Sequence, residues 1–261
     1  MTPAPTDPST PPKEAWSRQE LDQNPHRSSE KAGKVRAMFA SISASYDLNN
    51  RLHSFGRDQA WRRQAVRLAE VGPEDLVLDV ACGTGDLTEA FAAAGASRVV
   101  GGDFTPEMLD HARRKALRLP ADRRPTYEHA DAMHLAYEDA SFDVVSIAFG
   151  IRNVSDPATA IREFARVLRP GGRLVILEFA EPSWAPIRWA NHLYTSRIMP
   201  LTASLVARDG SGAYRYLPRS IETFLSPAQL AGRIEDAGLR VERQVPMTFG
   251  VCVATQAIRD A

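Results

Sequence analysis

Residues 76–86 read LVLDVACGTGD, a short apolar run that leads directly into a turn containing two glycines. The run is bounded by Gly72-Pro73 on one side and by the glycines on the other. This is typical of a strand buried on both faces of a parallel sheet. Strand and helix patterns alternate from this point to about residue 180. The alternation predicts an α/β fold built on a doubly wound, Rossmann-like sheet.

The predicted elements extend this pattern along the chain. Helices are expected over 35–46 and through 61–68, ahead of the first strand. Pro170-Gly171-Gly172 predicts a turn before the fifth strand. A terminal pair of strands completes a seven-stranded sheet. The strands are expected at 76–80, 98–102, 127–129, 144–149, 174–179, 239–245 and 249–257, and the intervening helices at 87–94, 106–119 and 158–168.

The composition excludes several classes of protein. The chain carries 32 Lys and Arg against 32 Asp and Glu. Domains that bind nucleic acid usually have a basic excess, so no nucleic-acid partner is expected. No run approaches the 18 apolar residues of a membrane span. Cys82 and Cys252 are too few for a disulfide framework, and the six histidines show no ligand spacing. We therefore predict a cytoplasmic protein without a metal.

The first thirty residues differ from the rest of the chain. They contain six of the 18 prolines and almost no aliphatic residues. Such a segment buries too little apolar surface to offset the entropy of ordering it. The sequence therefore predicts a disordered tail over 1–33, followed by one folded domain over 34–261.

An apolar, aromatic stretch runs from Trp184 to Val206, between the fifth strand and the terminal pair. It has two interpretations of equal weight. It covers a pocket at the carboxyl ends of the strands, where open α/β sheets bind ligands, or it packs into the core as an ordinary helix. On the first interpretation, residues 34–70 and 182–222 are lid segments.

The glycine loop after the first strand is a candidate ligand site. Gly83 and Gly85 allow the backbone to approach a ligand, and the loop N–H groups then face it. A dinucleotide fingerprint requires a third glycine, where this chain has Thr88, and no phosphate-binding GK[ST] ending follows. The loop is therefore predicted to bind a nucleoside that lacks a pyrophosphate.

Acidic residues follow the second and third predicted strands. Asp103 ends the second strand, where a carboxylate accepts both hydroxyls of a ribose. Asp131 follows the third strand, where it accepts from an adenine amino group while the N–H of Ala132 donates to the ring. Each Asp has a structural alternative, a helix cap for Asp103 and a surface turn for Asp131. Together with the glycine loop, the pair is more specific than either residue alone.

The order of these features resembles the class I S-adenosylmethionine-dependent methyltransferases. Longer stretches are similar to the ubiquinone/menaquinone biosynthesis C-methyltransferase family, in order over about residues 34–257. The chain departs from the family pattern at Asn49, His53, Asp58 and Ala148, where the family has Met, an aliphatic residue, His and, in some members, Ser. The matching stretches include YDLNN at 46–50, FGIRNV at 149–154, RVLRPGGRL at 166–174 and YRYL at 214–217.

The resemblance implies a cofactor and a reaction. Thr84 and the two loop glycines would hold the methionine part of S-adenosylmethionine, Asp103 the ribose, and Asp131 with Ala132 the adenine. The family methylates a ring carbon of a prenylated quinol, which in the menaquinone branch converts demethylmenaquinol to menaquinol. Methylation of the benzoquinol precursor of ubiquinone, methylation of another small molecule, and a non-catalytic nucleoside-binding module remain open alternatives.

Two residues are predicted to line the reaction site. Arg152 leaves the fourth strand at its carboxyl end and is expected to stabilise a developing phenolate. It is not expected to act as a base, because a guanidinium keeps its proton in proteins. Tyr46 is the second residue, and a structural role for Arg152 is the alternative. Further polar candidates in the lid segments are Asp47, His192, Tyr194, Asp209 and Tyr214.

A prenylated substrate also has consequences for the surface. Residues 184–205 and 35–39 are the candidate walls of an apolar channel for the tail. An enzyme that takes its substrate from a bilayer is expected to make a peripheral membrane contact at the inner face. Basic runs at 51–67 and 113–118 are candidates for that contact, although such runs are more often solvated surface. The sequence makes no prediction of the oligomeric state.

Overall fold

The computed structural model of the chain describes residues 15–22, 24–199 and 212–260. Seven strands form one sheet in the order β3-β2-β1-β4-β5-β7-β6. The first five strands are parallel, and β7 runs antiparallel between β5 and β6. The strands are β1 Leu76–Val80, β2 Arg98–Asp103, β3 Thr126–His129, β4 Phe142–Ala148, β5 Leu168–Phe179, β6 Leu239–Met247 and β7 Cys252–Arg259.

Ten α-helices belong to the described part of the chain. They are α1 Arg18–Asp22, α2 Lys31–Ile42, α3 Tyr46–His53, α4 Arg57–Ala69, α5 Asp86–Ala93, α6 Pro106–Ala116, α7 Pro157–Val167, α8 Ala185–Leu193, α9 Ala213–Glu222 and α10 Pro227–Asp236.

Alternating side chains of the central strands bury the two faces of the sheet. In β1, Leu78 and Val80 pack against α7 and α10, whereas Val77 packs with α4 and α5 on the opposite face. This is the period of two that a strand imposes. Helices on both faces explain why β1 is apolar at almost every position. The predicted doubly wound α/β fold is confirmed.

Two strands, β5 and β7, begin more than two residues from the predicted position. β5 begins at Leu168, because its pairing with β4 continues through the Pro170-Gly171-Gly172 turn to Phe142, with a shift of register. Phe249 lies in a tight turn with φ of 57° rather than in a strand, so β7 begins at Cys252.

Regular structure also begins earlier than the predicted boundary at residue 33. Trp16 has no exposed surface and stacks on Tyr216, with ring centroids 4.9 Å apart. Leu21 is also buried, and Lys31 starts α2. The boundary is therefore too late for described residues 15–33, because two large apolar side chains anchor a segment whose average composition is polar. Residues 1–14 lie outside the described part.

The aromatic stretch after β5 is not a core helix. None of the residues of α8 is buried, and Trp184 and Trp189 are 64% and 69% exposed. A five-residue π-helical turn, Tyr194–Ile198, follows α8. The core interpretation is therefore wrong for α8, and residues 200–206 of the stretch lie outside the described part. Within the described ranges, no helix is both long and apolar enough to cross a membrane.

Candidate active site

Two adjoining cavities lie at the carboxyl ends of the parallel strands. The loop cavity, of about 830 Å³, is lined by the glycine loop and by the ends of β2, β3 and β4. The lid cavity, of about 1100 Å³, is lined by α2, α3, α4 and α9 and by the turn after α8. Phe39, Tyr46 and Phe149 line both cavities and form the wall that they share.

The glycine loop is shaped by backbone conformations that few residues adopt. Ala81, Gly83 and Gly85 all have positive φ, of 52°, 56° and 85°. The loop is anchored to β2, because the N–H of Gly83 donates to the Asp103 carboxylate at 2.8 Å. Gly83 lines the loop cavity, as predicted for a residue next to a ligand.

Asp103 joins the loop to the following helix. One carboxylate oxygen accepts from Gly83, and the other accepts from the N–H of Thr105 at 2.8 Å. The side chain is 8% exposed and lines the loop cavity. Burial raises the pKa of this carboxyl, and the two backbone hydrogen bonds oppose that rise. Each oxygen keeps a second acceptor position, so the structural contacts leave Asp103 able to accept from a ligand.

Asp131 and Ala132 lie beyond β3 and also line the loop cavity. Asp131 accepts from the N–H of Met133 at 2.9 Å, and its carbonyl accepts from the N–H of His134 at 3.0 Å. The residue therefore closes a turn, as its structural alternative requires. It lies at the same time on the cavity wall with Asp103 and Gly83, as the ligand interpretation requires.

Thr84 and Gly85 occupy a different place from the one predicted. Neither is among the described residues that line the loop cavity. The hydroxyl of Thr84 donates to Asp47 at 2.5 Å, and Thr84 is 4% exposed. A side chain on Gly85 would overlap the Tyr127 hydroxyl. The structure places these two residues behind the loop, where they tie it to α3 and β3.

Arg152 lines the lid cavity from the turn that follows β4. It is 5% exposed and forms an ion pair with Glu178 at 2.7 Å. It also donates to the carbonyl of Phe149 at 2.6 Å. Arg152 therefore also has the structural role that was given as its alternative. Burial raises the pKa of the Glu178 carboxyl, and the Arg152 cation opposes that rise. The buried Nε of Arg152 makes no hydrogen bond with any residue that the structure describes.

Tyr46 stands in the shared wall, between the two ligand spaces. Its ring lies edge-on to Phe39, with centroids 5.9 Å apart. Burial raises the pKa of its hydroxyl, which keeps the phenol protonated at neutral pH. Tyr46 can therefore donate a hydrogen bond, but it is a poor proton acceptor.

A second buried ion pair faces the lid cavity from α4. Asp58 and Arg62 approach to 3.2 Å, with 5% and 9% of their side chains exposed. The guanidinium of Arg62 lies over the ring of Phe149, 5.4 Å from its centroid. Because Arg62 is buried and paired, the predicted basic run at 51–67 is not a continuous charged surface. Lys115 of the other run likewise pairs with Asp47 and Asp86.

The remaining polar candidates of the lid segments lie in different surroundings. Tyr194 lines the lid cavity and donates to the carbonyl of His53 at 3.1 Å. Asp47 is engaged with Thr84 and Lys115. His192 is exposed. Asp209 and the side chain of Tyr214 lie outside the described part of the structure.

Three buried charged residues at this site were not predicted. Lys31 is 1% exposed, and its ammonium donates to the carbonyls of Arg152 at 2.8 Å and Val154 at 2.6 Å. Glu178 and Arg62 are the other two. Glu178 interrupts the apolar run from Leu174 to Phe179, which is a usable signal. Lys31 carries no such signal, because its partners are backbone atoms 121 and 123 residues away.

The arrangement suits the transfer of a small group between two ligands. The loop cavity offers carboxylate acceptors to one ligand, and the lid cavity offers apolar walls and a buried guanidinium to the other. Phe39, Tyr46 and Phe149 line both spaces, so the two ligands would lie next to each other. Aligning two reactants while excluding water is itself a large part of catalysis.

Comparisons with known proteins agree with this geometry. The model of the ubiE/COQ5 methyltransferase family matches residues 27–259. A demethylmenaquinone methyltransferase of Thermus thermophilus is 45% identical over 215 residues, which is 82% of this chain and 96% of the relative. A protein of the same name from Deinococcus radiodurans is 44% identical over 223 residues, 85% of this chain and 91% of the relative.

Solved structures resemble the fold. The magnesium protoporphyrin IX methyltransferase of Synechocystis PCC 6803, solved with bound S-adenosylmethionine, superposes with a TM-score of 0.60. It is 18% identical, and the match covers 90% of this chain and 99% of that chain. At this identity the likeness concerns the fold.

Proposed function

The chain belongs to the ubiE/COQ5 methyltransferase family, and we propose that it converts demethylmenaquinol to menaquinol. It is an S-adenosylmethionine-dependent methyltransferase, and the methyl acceptor is a quinone-type ring. The proposal is carried by one observation: a cavity that contains the carboxylates of Asp103 and Asp131 and an apolar cavity that contains Arg152 share the residues Phe39, Tyr46 and Phe149. The relatives matched over most of their length are named for the menaquinone reaction.

We assign the cofactor to the loop cavity. S-adenosylmethionine carries hydroxyl and amino donors, together with a methyl group made electrophilic by its positively charged sulfur. The free acceptor positions of Asp103 suit the ribose hydroxyls, and Asp131 with the N–H of Ala132 suits the adenine. Gly83 brings the backbone close to the ligand. Thr84 and Gly85 act indirectly in this proposal, by holding the loop in shape.

We assign the quinol ring to the lid cavity, next to Arg152 and Tyr46. Methylation replaces one ring hydrogen, so one proton must leave the ring carbon. The ring carbon is most nucleophilic when the neighbouring hydroxyl has lost its proton. The free Nε donor of Arg152 would stabilise the resulting oxyanion in a site that excludes water. Glu178 holds this guanidinium in place through their ion pair.

The direct test measures methyl transfer with purified protein, labelled S-adenosylmethionine and a short-tailed demethylmenaquinol. Label in the recovered quinone is expected. A short-tailed benzoquinol tested in parallel decides between the menaquinone and ubiquinone branches, and faster labelling of the benzoquinol would overturn the menaquinone assignment. Tight cofactor binding with no label in either quinol would leave only a nucleoside-binding module.

Arg152 is tested with a matched pair of variants. Arg152→Lys keeps a positive charge, whereas Arg152→Met removes it. We expect Arg152→Met to lower kcat by roughly 100-fold or more, the cost of losing one stabilising donor, and Arg152→Lys to recover part of that loss. Equal kcat for the two variants would assign Arg152 a purely structural role. Circular dichroism of both variants controls for folding.

We further propose that the protein works at the inner face of the membrane, where its prenylated substrate is dissolved. The lid cavity is walled mainly by apolar side chains, including Met38, Ile42 and Met199, and it can take the first part of a prenyl tail. A long tail exceeds this cavity and must continue outside it, in the lipid.

A further inference from the structure

Several large apolar side chains lie on the surface of the protein, where they contribute nothing to the core. Five of them are aromatic; Phe104 lines the loop cavity, and the other four belong to three segments that also line the lid cavity. We call these four the aromatic rim: Phe55, Trp184, Trp189 and Phe249, which are 78%, 64%, 69% and 77% exposed. None of the four is among the described residues that line the cavity itself.

The rim residues are close to the mouth of the lid cavity along the chain. Phe55 follows Ser54, Trp189 precedes Asn191 by two residues, and Phe249 precedes Val251 by two; these three neighbours all line the cavity.

Contacts join the segments that carry the rim. The ring of Phe55 lies 5.6 Å from that of Tyr194, in the turn that follows α8. A Cβ built on Gly250 would lie 3.6 Å from Pro182, so the Phe249 turn adjoins the start of the segment that carries both tryptophans. The segments that carry the rim therefore adjoin one another beside the lid cavity.

Helix α8 is built like a helix that lies in a membrane interface. Ile187 and Asn191, one turn apart on its inner side, are half-buried, whereas Arg188, Trp189 and His192 are exposed. A short helix with exposed tryptophan and arginine is typical of segments that rest at the boundary of headgroups and acyl chains. Tryptophan prefers this boundary, because its ring is apolar and its N–H remains hydrated.

The charges around the rim indicate which kind of surface the rim would contact. Residues 48–57 and 181–197 contain four arginines and one carboxylate, Glu181, in a chain whose net charge is zero. The arginines, all exposed, are Arg51, Arg57, Arg188 and Arg197. Arg51 lies 3.7 Å from Asp86, so part of its charge is balanced. The local excess suits an anionic lipid surface and disfavours pairing with a second copy of the same face.

We propose that the aromatic rim docks the enzyme on an anionic lipid surface, so that the lid cavity opens toward the bilayer. The inference rests on the proposed function, because a prenylated quinol is held in lipid. It also explains why these exposed aromatic side chains lie in segments beside the lid cavity.

The binding test is co-sedimentation with two kinds of vesicle, phosphatidylcholine alone and phosphatidylcholine mixed with phosphatidylglycerol. The unaltered protein should bind the mixed vesicles more strongly, and added salt should weaken that binding. The double variant Trp189→Ser, Phe249→Ser should lose roughly tenfold or more in partitioning. Leu117→Ser is the matched control, because Leu117 is 64% exposed but lies at the end of α6, which carries no rim residue.

The activity test separates this inference from the proposed function. With a short-tailed quinol in solution, the double variant should keep the kcat of the unaltered protein. With a long-tailed quinol in mixed vesicles, its rate should fall while that of Leu117→Ser does not. An unaltered protein that is active in solution but binds no vesicles would overturn the docking surface and leave the function standing.

Two further results would also overturn the inference. Vesicle binding by the double variant equal to that of the unaltered protein would place the contact elsewhere. A dimer of the unaltered protein that the double variant disperses, measured by light scattering, would assign the rim to a second copy of this chain.

Discussion

Asp103 is the residue on which the cofactor assignment depends most. Asp103→Ala removes the acceptor proposed for the ribose, and it also releases the N–H groups of Gly83 and Thr105. We expect cofactor affinity measured by calorimetry to fall at least roughly tenfold, as for the loss of hydrogen bonds to a charged group. Asp103→Asn keeps acceptor capacity and should lose less. Unchanged affinity in the Ala variant would refute the ribose assignment.

Lys31 connects α2 to the turn that carries Arg152. Without its ammonium, the carbonyls of Arg152 and Val154 lose a buried donor. We expect Lys31→Met to lower the free energy of unfolding by about 1–3 kcal/mol. A shifted turn should also lower kcat by up to roughly 100-fold.

The control for Lys31 lies one turn further along the same helix. Lys34 pairs with Glu20 and Glu30 near the surface, so Lys34→Met should cost no more than about 1 kcal/mol. Urea unfolding and steady-state kinetics provide both measurements. A Lys31→Met enzyme with lowered stability and unchanged kcat would limit Lys31 to a structural role.

At the scale of elements, the N-terminal segment supports the lid. Trp16 stacks on Tyr216 of α9, and the Tyr216 hydroxyl donates to Asn153, next to Arg152, at 2.9 Å. We expect Trp16→Ala to weaken the docking of the N-terminal segment on α9 by about 3–5 kcal/mol, as for the loss of a buried aromatic side chain. Hydrogen exchange should then become faster in α9, and KM for the quinol should rise.

The matched control for this prediction is Trp184→Ala. Trp184 is exposed, so its removal should change stability by no more than about 0.5 kcal/mol. Exchange in α9 that is equally slow in the Trp16 and Trp184 variants would show that the N-terminal segment does not support the lid.

The sequence predicts elements well where a local pattern determines them. β1 falls on 76–80 because a strand buried on both faces is apolar at every position except one, Asp79. Burial raises the pKa of that carboxyl to about 6, although Thr88 and Ser146 donate to it.

Elements held by distant contacts are harder to predict. Trp16 is an isolated aromatic in a polar segment, and nothing near it in the sequence indicates Tyr216. The helices α9 and α10 were not predicted as helices, although the YRYL stretch at 214–217 lies in α9. In each case the stabilising partner lies far away along the chain.

The residues of the candidate site also divide into those that a local pattern predicts and those that depend on distant contacts. Gly83, Asp103 and Asp131 follow strand ends, so parallel topology brings them to one edge and the prediction places them together. Thr84 and Gly85 belong to the same motif but face α3 and β3, a distinction that requires the backbone path. Pairs such as Arg152 with Glu178 require the register of β4 against β5.

At the scale of the whole molecule, one half-buried histidine makes stability depend on pH. His26 donates from Nε2 to the carbonyl of Ser220 at 2.9 Å, and its Nδ1 has no partner in the described structure. Partial burial, helped by the nearby Lys31 cation, lowers its pKa from 6.5 to about 4. Between these values the unfolded chain holds the extra proton. Stability should therefore fall as pH drops from 6.5 to 4, by about 1–2 kcal/mol, because solvent at the half-exposed ring screens part of the effect.

The measurement is the difference between the unaltered protein and His26→Gln in urea unfolding at pH 7 and pH 5. The difference is needed because Asp79, with its raised pKa, acts in the opposite direction over 3.8 to 6. His26→Gln should reduce the loss of stability on acidification. An identical loss in both proteins would mean that His26 protonates as freely in the folded state as in the unfolded chain.

The contact between His26 and Ser220 joins two parts of the chain that a ribosome makes at different times. The two residues are 194 positions apart, and Arg219 reaches back over 198 positions to the carbonyl of Leu21. A ribosome adding about 5–20 residues per second needs roughly 10–40 s to bridge that interval. During this time α2 has no α9 to pack against. The lid cavity, which Tyr216 and Leu217 of α9 help to line, is thus completed only near the end of synthesis.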